Sequence, residues 1–435
     1  MSGVATDGEV EAGQQNGNSK GAAMTGEDEE RREPSIGAPA TASGADQAGV
    51  RLYNERLVLS LVRRYQQLSK VEVARLTGLS VQTASAIMNR LQVDGLLLRE
   101  APQRGRVGQP TVPLSLDAEG AFSFGLKIGR RSCELVLVDF KGRIRSRAQK
   151  TFPYPIPRTI LDFVATSLPQ AAGALSPGQT RRIAGLGVAA PFQLWNWGAE
   201  IGAPPGAMDV WRTVDIEREV AEICRFPVTL CNDATSACAA EFYFGEAWRE
   251  RDFLYFFAGE FLGGGLVLNS SLYLGRTGNA AAVGSMPAPG PDGVVTQLIH
   301  LASIIQLERR IERAGGDPSS IWLTPDAWAD FGGSLGEWLD VAAPALAYAI
   351  VSAISVVDVG AVVIDGAMPA SVRQTLCLMT AAALEKLDRR GLSDVRILPG
   401  AVGPDARAIG AAALPLIKNF ARDRDVLFKE QTAEG

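Results

Sequence analysis

Apolar residues recur at helical spacing between residues 69 and 98, and polar residues mark where each helix begins and ends. Ser69 and Glu72 form the Ser-x-x-Glu pattern of a helix N-terminus. Gly78 ends that helix, because glycine tolerates the left-handed conformation of a C-cap, and Ser80 begins the next one. The first helix is expected to bury Val73, Ala74 and Leu76, with Leu79 under the turn. The second has one apolar stripe, formed by Ala84, Ile87, Met88 and Leu91. Two short helices around a Gly-Leu-Ser turn predict a helix-turn-helix.

The second helix ends at Asp94-Gly95 and has a polar face opposite its apolar stripe. A helix that enters the major groove of DNA needs such side chains to bond base edges and phosphates. The predicted DNA-binding residues of this helix are Ser80, Gln82, Thr83, Ser85, Asn89 and Arg90. The alternative is an ordinary helical hairpin whose polar residues are only solvated.

A β-wing is predicted after the second helix. Leu96 to Leu98 form its first strand, residues 103–110 its tip and residues 111–116 its return strand. Arg104 and Arg106 lie on the tip, where they are expected to contact phosphates or the minor groove. A further amphipathic helix, from about Tyr53 to Tyr65, completes a three-helix core. The sequence therefore predicts a winged helix-turn-helix domain at residues 51–117 whose partner is operator DNA.

The distribution of charge agrees with this interpretation. Residues 51–115 carry ten basic and four acidic side chains, whereas residues 1–50 have a net charge of −6 and residues 116–435 a net charge of −5. The acidic chain therefore contains one basic segment, as expected for a DNA-binding part. Residues 1–50 have almost no large apolar side chains, so we expect a disordered acidic tail. Residues 421–435 form a charged C-terminal tail.

The rest of the chain has an α/β pattern, with strands that alternate with helices. Its length exceeds one comfortable core, so two lobes are expected within residues 118–420. The expected strands are Phe122–Ile128, Ser132–Asp139, Ile183–Ala189, Val228–Cys231, Phe253–Phe257, Gly264–Leu268, Ala361–Ile364 and Val395–Leu398. Long helices are expected at about Gly293–Arg313 and Leu335–Val356, and another helix begins at Ala234.

Cysteine and histidine usage limits the possible chemistry. Five cysteines without close pairing favour a reducing compartment. The single histidine, His300, excludes a histidine-based metal cluster and is most simply a structural or surface residue. The first residues lack the pattern of a signal peptide. No apolar run was expected to span a membrane, because Asp358 and Asp365 interrupt the longest, Ala349–Met368. We expect a cytoplasmic, nucleoid-associated protein without a membrane partner.

Several blocks, taken in order, resemble the ROK family of repressors, uncharacterised reading frames and sugar kinases. The resemblance covers roughly residues 53–418. Its blocks are the wing residues 108–110, the hairpin 125–142, the strand 185–191, Asn232-Asp233-Ala234 with Glu241, the loop 259–265 and the segment 275–285. It implies a winged helix-turn-helix followed by a two-lobed hexokinase/actin-like ATPase fold with ribonuclease-H-like subdomains.

The chain departs from the pattern of a ROK kinase on the phosphate side. Lys127 stands where the kinases have an aspartate that helps to hold magnesium, and a protonated lysine cannot ligate a cation. In the second phosphate loop, Glu260 replaces a threonine and Phe261 replaces a glycine. An added carboxylate repels phosphate unless it is turned away or neutralised, and phenylalanine prevents the close approach that glycine allows. Phosphoryl transfer depends on positioning and charge stabilisation, so this pattern predicts no catalytic residues, no metal and no cofactor.

The sugar side is altered as well. Ala282 stands in place of the glutamate that bonds sugar hydroxyls, and Ser285 in place of the histidine that binds sugar and zinc. The cysteine-rich zinc loop is missing from residues 286–296, and Pro205 replaces an asparagine. Asn232 and Asp233 remain; in the kinases this aspartate is the base that activates the sugar hydroxyl. Asn232, Asp233 and Ser285 are therefore the candidate ligand-binding residues. The alternative is that Asn232 and Asp233 serve only as a turn and helix cap.

The resemblance implies a transcriptional regulator, most often a repressor, whose kinase-like part forms a homodimer or homotetramer and senses a sugar or another small molecule. Two alternatives stay open: a ROK sugar kinase with an appended DNA-binding module, and a repressor without a ligand.

Overall fold

A computed structural model describes residues 47–103 and 111–422. Most of the predicted acidic tail, the wing tip with Arg104 and Arg106, and residues 423–435 of the predicted C-terminal tail lie outside the described residues. The expected boundary of the acidic tail at residue 50 was wrong, because Gln47–Val50 already belong to a helix.

The first module has three helices and a small antiparallel sheet. Its elements are α1 (Gln47–Tyr65), β1 (Gln67–Leu68), α2 (Lys70–Thr77), α3 (Val81–Val93), β2 (Leu97–Arg99) and β3 (Leu114–Leu116). Strand β3 lies between β1 and β2 and pairs antiparallel with both. Strand β1 was not predicted, because two residues give no readable alternation.

Local side-chain chemistry explains the two central helices. Ser69 and Glu72 form the reciprocal capping box that the sequence predicts, and the left-handed Gly78, with φ of +73°, ends α2. Ser80 caps α3 by accepting a hydrogen bond from the Thr83 amide. The apolar stripe of α3 is buried against α1, α2 and the sheet. The expected burial of Leu76 was wrong, since its side chain faces solvent.

The first lobe is built on a five-stranded sheet with the order β6-β5-β4-β7-β8. Strands β5 and β6 pair antiparallel on one side of β4, whereas β7 and β8 are parallel to it. Its elements are β4 (Phe122–Ile128), β5 (Ser132–Asp139), β6 (Ile144–Thr151), α4 (Pro157–Gly173), α5 (Pro177–Thr180), β7 (Ile183–Ala190), α6 (Ile216–Ile223), β8 (Val228–Asn232) and α7 (Asp233–Phe244).

The second lobe repeats this arrangement, with the sheet order β11-β10-β9-β14-β15. Its elements are β9 (Phe253–Ala258), β10 (Leu262–Leu268), β11 (Ser271–Tyr273), β12 (Pro287–Pro289), β13 (Val295–Gln297), α8 (Ile299–Ala302), α9 (Ile304–Arg313), α10 (Gly332–Val357), β14 (Ala361–Gly366), α11 (Ala370–Leu384) and β15 (Arg396–Pro399). Two sheets with the same order agree with the predicted α/β class and two lobes.

One predicted helix of this lobe, Gly293–Arg313, was wrong. The left-handed Gly293 belongs to the turn between β12 and β13, so the chain is extended until Gln297. Ser303 then separates α8 from α9, because its hydroxyl donates to the Ile299 carbonyl and accepts from the Leu262 amide. Apolar residues do recur at regular spacing in this segment, but they belong to β13, α8 and α9 and not to one helix.

The segment Pro325–Val357, which includes α10, is the one stretch of the described residues long and apolar enough to cross a membrane. The expectation that no such run exists was therefore wrong. Helix α10 packs against α11, and Trp338, Leu346 and Ile350 are fully buried in the core of the second lobe. A core helix passes the same test of length and composition.

Helix α7 and the last helix, α12 (Ala406–Phe420), lie between the two sheets. Helix α12 packs on β4 and β7, and α7 packs on β10. The two helices also pack on each other. A side chain at Gly410 would collide with the Ser236 carbonyl, so glycine at this position permits their close approach.

Candidate functional site

The polar face of α3 is accessible on the surface of the first module. Ser80, Gln82, Thr83 and Asn89 are exposed, and Ser85 is partly exposed. The opposite face of the helix is buried, so its orientation is fixed by the module core. These predicted residues therefore lie together on one surface, which we call the α3 surface.

Two cationic residues of this surface, Arg90 and Lys70, make contacts that the sequence did not predict. Arg90 lies 3.4 Å from a carboxylate oxygen of Glu55 on α1 and 3.7 Å from one of Asp94, so its charge is already balanced. Lys70 was missed, although its ammonium group donates to the Asn89 side-chain oxygen at 2.6 Å. Lys70 is the first residue of α2, and its position beside α3 depends on how the two helices cross.

Arg63 on α1 fixes the first module to the first lobe. Its guanidinium group donates to the Phe140 carbonyl at 2.8 Å and lies 3.9 Å from the ring centre of Tyr243. The rings of Phe140 and Phe244 also lie within cation–π distance. Burial lowers the pKa of Arg63, but Tyr243 and Asp139 oppose that shift. The module is thus held by a cation enclosed in aromatic rings.

Two further contacts join the module to the lobes. Arg182 donates to the carbonyls of Gly95, just after α3, and Gly120. The backbone amide of Arg422, after α12, donates to the Ser60 hydroxyl on α1. A cavity of about 350 Å³ remains at this junction, between α1 and the C-terminal end of α7.

A cleft of about 240 Å³ lies between the two lobes. The candidate ligand-binding residues Asn232, Asp233 and Ser285 all line it. Asn232 also caps α7, because its side-chain oxygen accepts hydrogen bonds from the amides of Ala234 and Thr235. Asp233 accepts a hydrogen bond from Arg407 at 3.3 Å. Both of these residues therefore have the structural role that the sequence left open, and they also face the cleft.

Two buried cations, Lys127 and Arg130, lie on the first-lobe side, and Arg130 lines the cleft. Lys127 points toward Ser132, with 3.4 Å between the ammonium nitrogen and the hydroxyl oxygen, and burial together with Arg407 lowers its pKa to about 8. Arg130, in the turn between β4 and β5, lines the cleft and is only 7% exposed. Burial lowers the pKa of Arg130 to about 10, so it stays protonated near neutral pH.

The turn between β9 and β10 closes the cleft from the second lobe. Glu260 lies 3.2 Å from the guanidinium group of Arg131, so its carboxylate is neutralised. Phe261 stacks against Arg130, whose guanidinium carbon lies 4.0 Å from the ring centre, and against Trp197 at a centroid distance of 5.0 Å. Both Glu260 and Phe261 therefore make contacts between the two lobes.

Arg131 makes a second contact with the opposite lobe. Its guanidinium nitrogens donate to both carboxylate oxygens of Glu308 on α9, at 3.2 and 3.3 Å. The Trp322 indole also donates to Glu308. Arg131 thus joins Glu260 and Glu308, and we call these three residues the interlobe clasp.

Among the described residues, no group of three or more His, Cys, Asp or Glu is placed to hold a metal ion. His300 is exposed on α8 and does not line the interlobe cleft. The polar lining of the interlobe cleft consists instead of side-chain amides, the Ser285 hydroxyl, the Asp233 carboxylate and the Arg130 guanidinium group.

Comparison with known proteins identifies the part of the chain that forms the cleft. Residues 123–297 match the ROK family. This segment of the chain resembles a ROK family domain. The matched residues include β4 with Lys127, the candidate residues Asn232, Asp233 and Ser285, and the turn with Glu260 and Phe261. The predicted family resemblance is confirmed.

Curated relatives of the chain include a protein named as a repressor. The uncharacterized protein y4fQ of Sinorhizobium fredii is 24% identical over 374 residues, which are 84% of this chain and 91% of that protein. The xylose repressor of Bacillus spizizenii is 24% identical over 249 residues, 56% of this chain and 62% of the repressor. The chain thus spans less than two thirds of the length of that repressor.

Solved structures confirm the fold of the two lobes. A ROK family transcriptional regulator described as a homologue of the Escherichia coli MLC protein superposes with a TM-score of 0.59 at 16% identity, over 86% of this chain and 98% of that one. A ROK glucokinase from Streptomyces griseus, in complex with glucose and AMPPNP, gives a TM-score of 0.52 at 20% identity over 68% of this chain and 99% of the kinase. The two lobes have the hexokinase/actin-like ATPase fold.

Three arginines of the two lobes were not predicted from the sequence: Arg130, Arg131 and Arg407. Arg130 and Arg131 form a doublet directly after a strand and a glycine, and this signal could have drawn attention to a turn rich in charge. Arg407 could not have been found in this way, because 174 residues separate it from Asp233. Only the packing of α12 against α7 brings them together.

Proposed function

We propose that this protein is a DNA-binding transcriptional regulator of the ROK type that acts as a repressor. The observation that carries the proposal is the α3 surface, where an exposed polar helix face stands beside Lys70 on a basic module. Relatives named as repressors support the same function. Arg104 and Arg106 remain predicted phosphate or minor-groove contacts.

The interlobe cleft would be the ligand-sensing site of this regulator. Helices α7 and α12 connect it to the DNA-binding module: their first turns meet at the pair Asp233 and Arg407, and Phe244 and Phe420 at their other ends contact the surroundings of Arg63. A ligand that prefers one arrangement of the lobes would shift the module. Two copies of the chain would then change the spacing of their half-sites.

The proposal is tested by recovering bound fragments from genomic DNA and measuring the affinity of the recovered site against a scrambled one. Gln82→Ala should reduce the discrimination between the two sites by roughly 5- to 150-fold, as expected for a lost base contact of about 1–3 kcal/mol. Gln149→Ala, an exposed glutamine on β6, is the matched control and should leave discrimination unchanged. Failure of the wild-type protein to select any sequence would overturn the proposal.

A sugar kinase with an appended DNA-binding module is the second candidate. Asp233 faces a cleft between two lobes, and the fold of these lobes is similar to that of a glucokinase. Against it stand Arg407, which holds Asp233, and the Glu260 carboxylate in the turn of the second lobe. A coupled assay with ATP, magnesium and a panel of hexoses decides between them. Turnover that Asp233→Ala abolishes would establish the kinase.

A further inference from the structure

Arg130 differs from the other charged groups around the interlobe cleft because no ion pair within 4.0 Å joins it to a carboxylate of the described residues. Asp233 pairs with Arg407, and Glu260 shares Arg131 with Glu308. Asp233, Glu260 and Glu200 act on Arg130 only from a longer distance, and its Nε has no hydrogen-bond partner although it is buried. A buried, unpaired guanidinium group is costly unless something else supplies the anion.

The surroundings of Arg130 restrict what that anion can be. Phe261 and Trp197 cover the guanidinium plane, so the accessible directions are those of its N–H groups. Arg130 lines a cleft of about 240 Å³, which admits only a small molecule. A guanidinium group with free N–H groups binds a carboxylate in a bidentate manner.

The carboxylates around Arg130 favour a ligand with one negative charge over a ligand with two. Asp233 lines the same cleft, and Glu260 and Glu200 lie near enough to act on Arg130 electrostatically. A dianionic phosphate would meet these carboxylates with two charges, whereas a carboxylate meets them with one and still pairs with the N–H groups of Arg130. The remaining polar lining consists of amides and hydroxyls that suit hydroxyl groups: Gln193, Asn196, Asn232, Asn279 and Ser285.

We propose that the interlobe cleft binds a small polyhydroxylated carboxylate, a sugar acid, and that Arg130 holds its carboxylate group. This inference names the effector class of the proposed regulator, but the binding itself needs no DNA. Arg130 of the first lobe contacts Phe261 of the second, so a ligand held by Arg130 would stabilise the closed arrangement.

Calorimetric titration of the full-length protein with D-glucuronate, D-gluconate, D-glucose and glucose 6-phosphate tests the ligand class. We expect at least one of the two acids to bind, and to bind roughly ten times more tightly than glucose and glucose 6-phosphate. Equal affinity for glucose would show that charge is not selected. Preference for glucose 6-phosphate would assign the cleft to phosphate, and no binding of either acid would likewise overturn the proposal.

Arg130→Met tests the role of the residue, because methionine keeps apolar bulk between the two rings and removes the charge. Affinity for the acid should fall roughly 10- to 100-fold, and the Tm of the ligand-free protein should rise, since an unbalanced buried charge is removed. A lower Tm with unchanged affinity would make Arg130 a structural residue only.

Arg212→Met is the matched control. Arg212 also lies against a tryptophan, Trp195, but it is exposed and paired with Asp209, and it does not line the cleft. Its replacement should leave both the affinity and the Tm unchanged. Because the titration contains no DNA, a failure of sequence-specific DNA binding would not alter its outcome, and the two proposals fail separately.

Discussion

Lys127 shows how a single buried cation sets a pH dependence. Its pKa falls from 10.5 to about 8 in the folded protein, mainly through burial, with a further contribution from Arg407. The unfolded chain therefore holds this proton more tightly than the folded chain. Protonated Lys127 therefore lowers the free energy of unfolding. This destabilisation is fully present below pH 8 and disappears as the pH rises toward 10.5.

Lys127→Met should accordingly raise the Tm at pH 7, and its advantage over the wild type should shrink between pH 8 and pH 10.5. Thermal melts of both proteins across this range measure the difference. Lys150→Met, which removes an exposed lysine from β6, should show no such trend. A lower Tm for Lys127→Met at every pH would mean that its interaction with Glu134, which faces it across β4 and β5, outweighs the cost of burial.

For single residues, the sequence predicted which side chains lie at a site better than it predicted the ion pairs that they form. Asn232, Asp233 and Ser285 were named from a motif and do line one cleft. The pairing of Arg90 with Glu55 was not predicted, because it joins α3 to α1 across 35 positions of the chain. A motif carries the identity of a side chain, whereas its charge balance depends on packing.

Gly78 and Gly336 separate two effects of glycine in a helix. Gly78 closes α2 with a positive φ of +73°, and Gly336 lies inside α10 with nothing within 4 Å of an added Cβ. Gly78→Ala should lower the free energy of unfolding by about 1–2 kcal/mol, because alanine is strained in the left-handed region. Gly336→Ala should raise it by about 0.5–1 kcal/mol.

Denaturant titrations of the two variants provide the measurement. Opposite signs are expected, and equal effects would show that the conformation of Gly78 is not retained or is not needed. The same contrast explains why α2 was predictable. Its capping box and terminal glycine are local signals, whereas the breaks at Gln297 and Ser303 depend on contacts with β10 and β12.

Strands and helices with strong local patterns were predicted with nearly the observed bounds. Strands β4 and β5 were predicted at their observed limits, and β7, β9 and β14 to within two residues. Strand β6 and helix α4 were missed: β6 is an edge strand of mixed polar sequence, and α4 contains Pro169. Burial in the sheet and the lobe core stabilises these elements, and that burial cannot be read locally.

Arg63 governs how the first module is attached to the whole molecule. Arg63→Ala removes a cation from Phe140, Tyr243 and Phe244 and a hydrogen bond from the Phe140 carbonyl. We expect a loss of about 2–4 kcal/mol in stability and faster proteolysis near residue 116. Arg51→Ala, which breaks only an exposed pair with Glu55, should change stability by less than about 0.5 kcal/mol.

Thermal melts and limited proteolysis, read by mass spectrometry, distinguish the two variants. If the Arg63→Ala variant is cleaved no faster than the Arg51→Ala variant, the first module is attached to the lobes through Arg182 and α12 instead. The repeated sheet order of the two lobes could be anticipated only through the family resemblance, because parallel pairing such as β9 with β14 joins segments about a hundred residues apart.

The interlobe clasp has an evolutionary consequence. A threonine at position 260 would leave Arg131 with Glu308 alone, and a glycine at position 261 would uncover Arg130. Each replacement by itself removes a partner from a residue on the other lobe, so their effects are not additive. Changes at positions 130, 131, 260 and 261 should therefore be concerted, and related chains should exchange these four residues as a set.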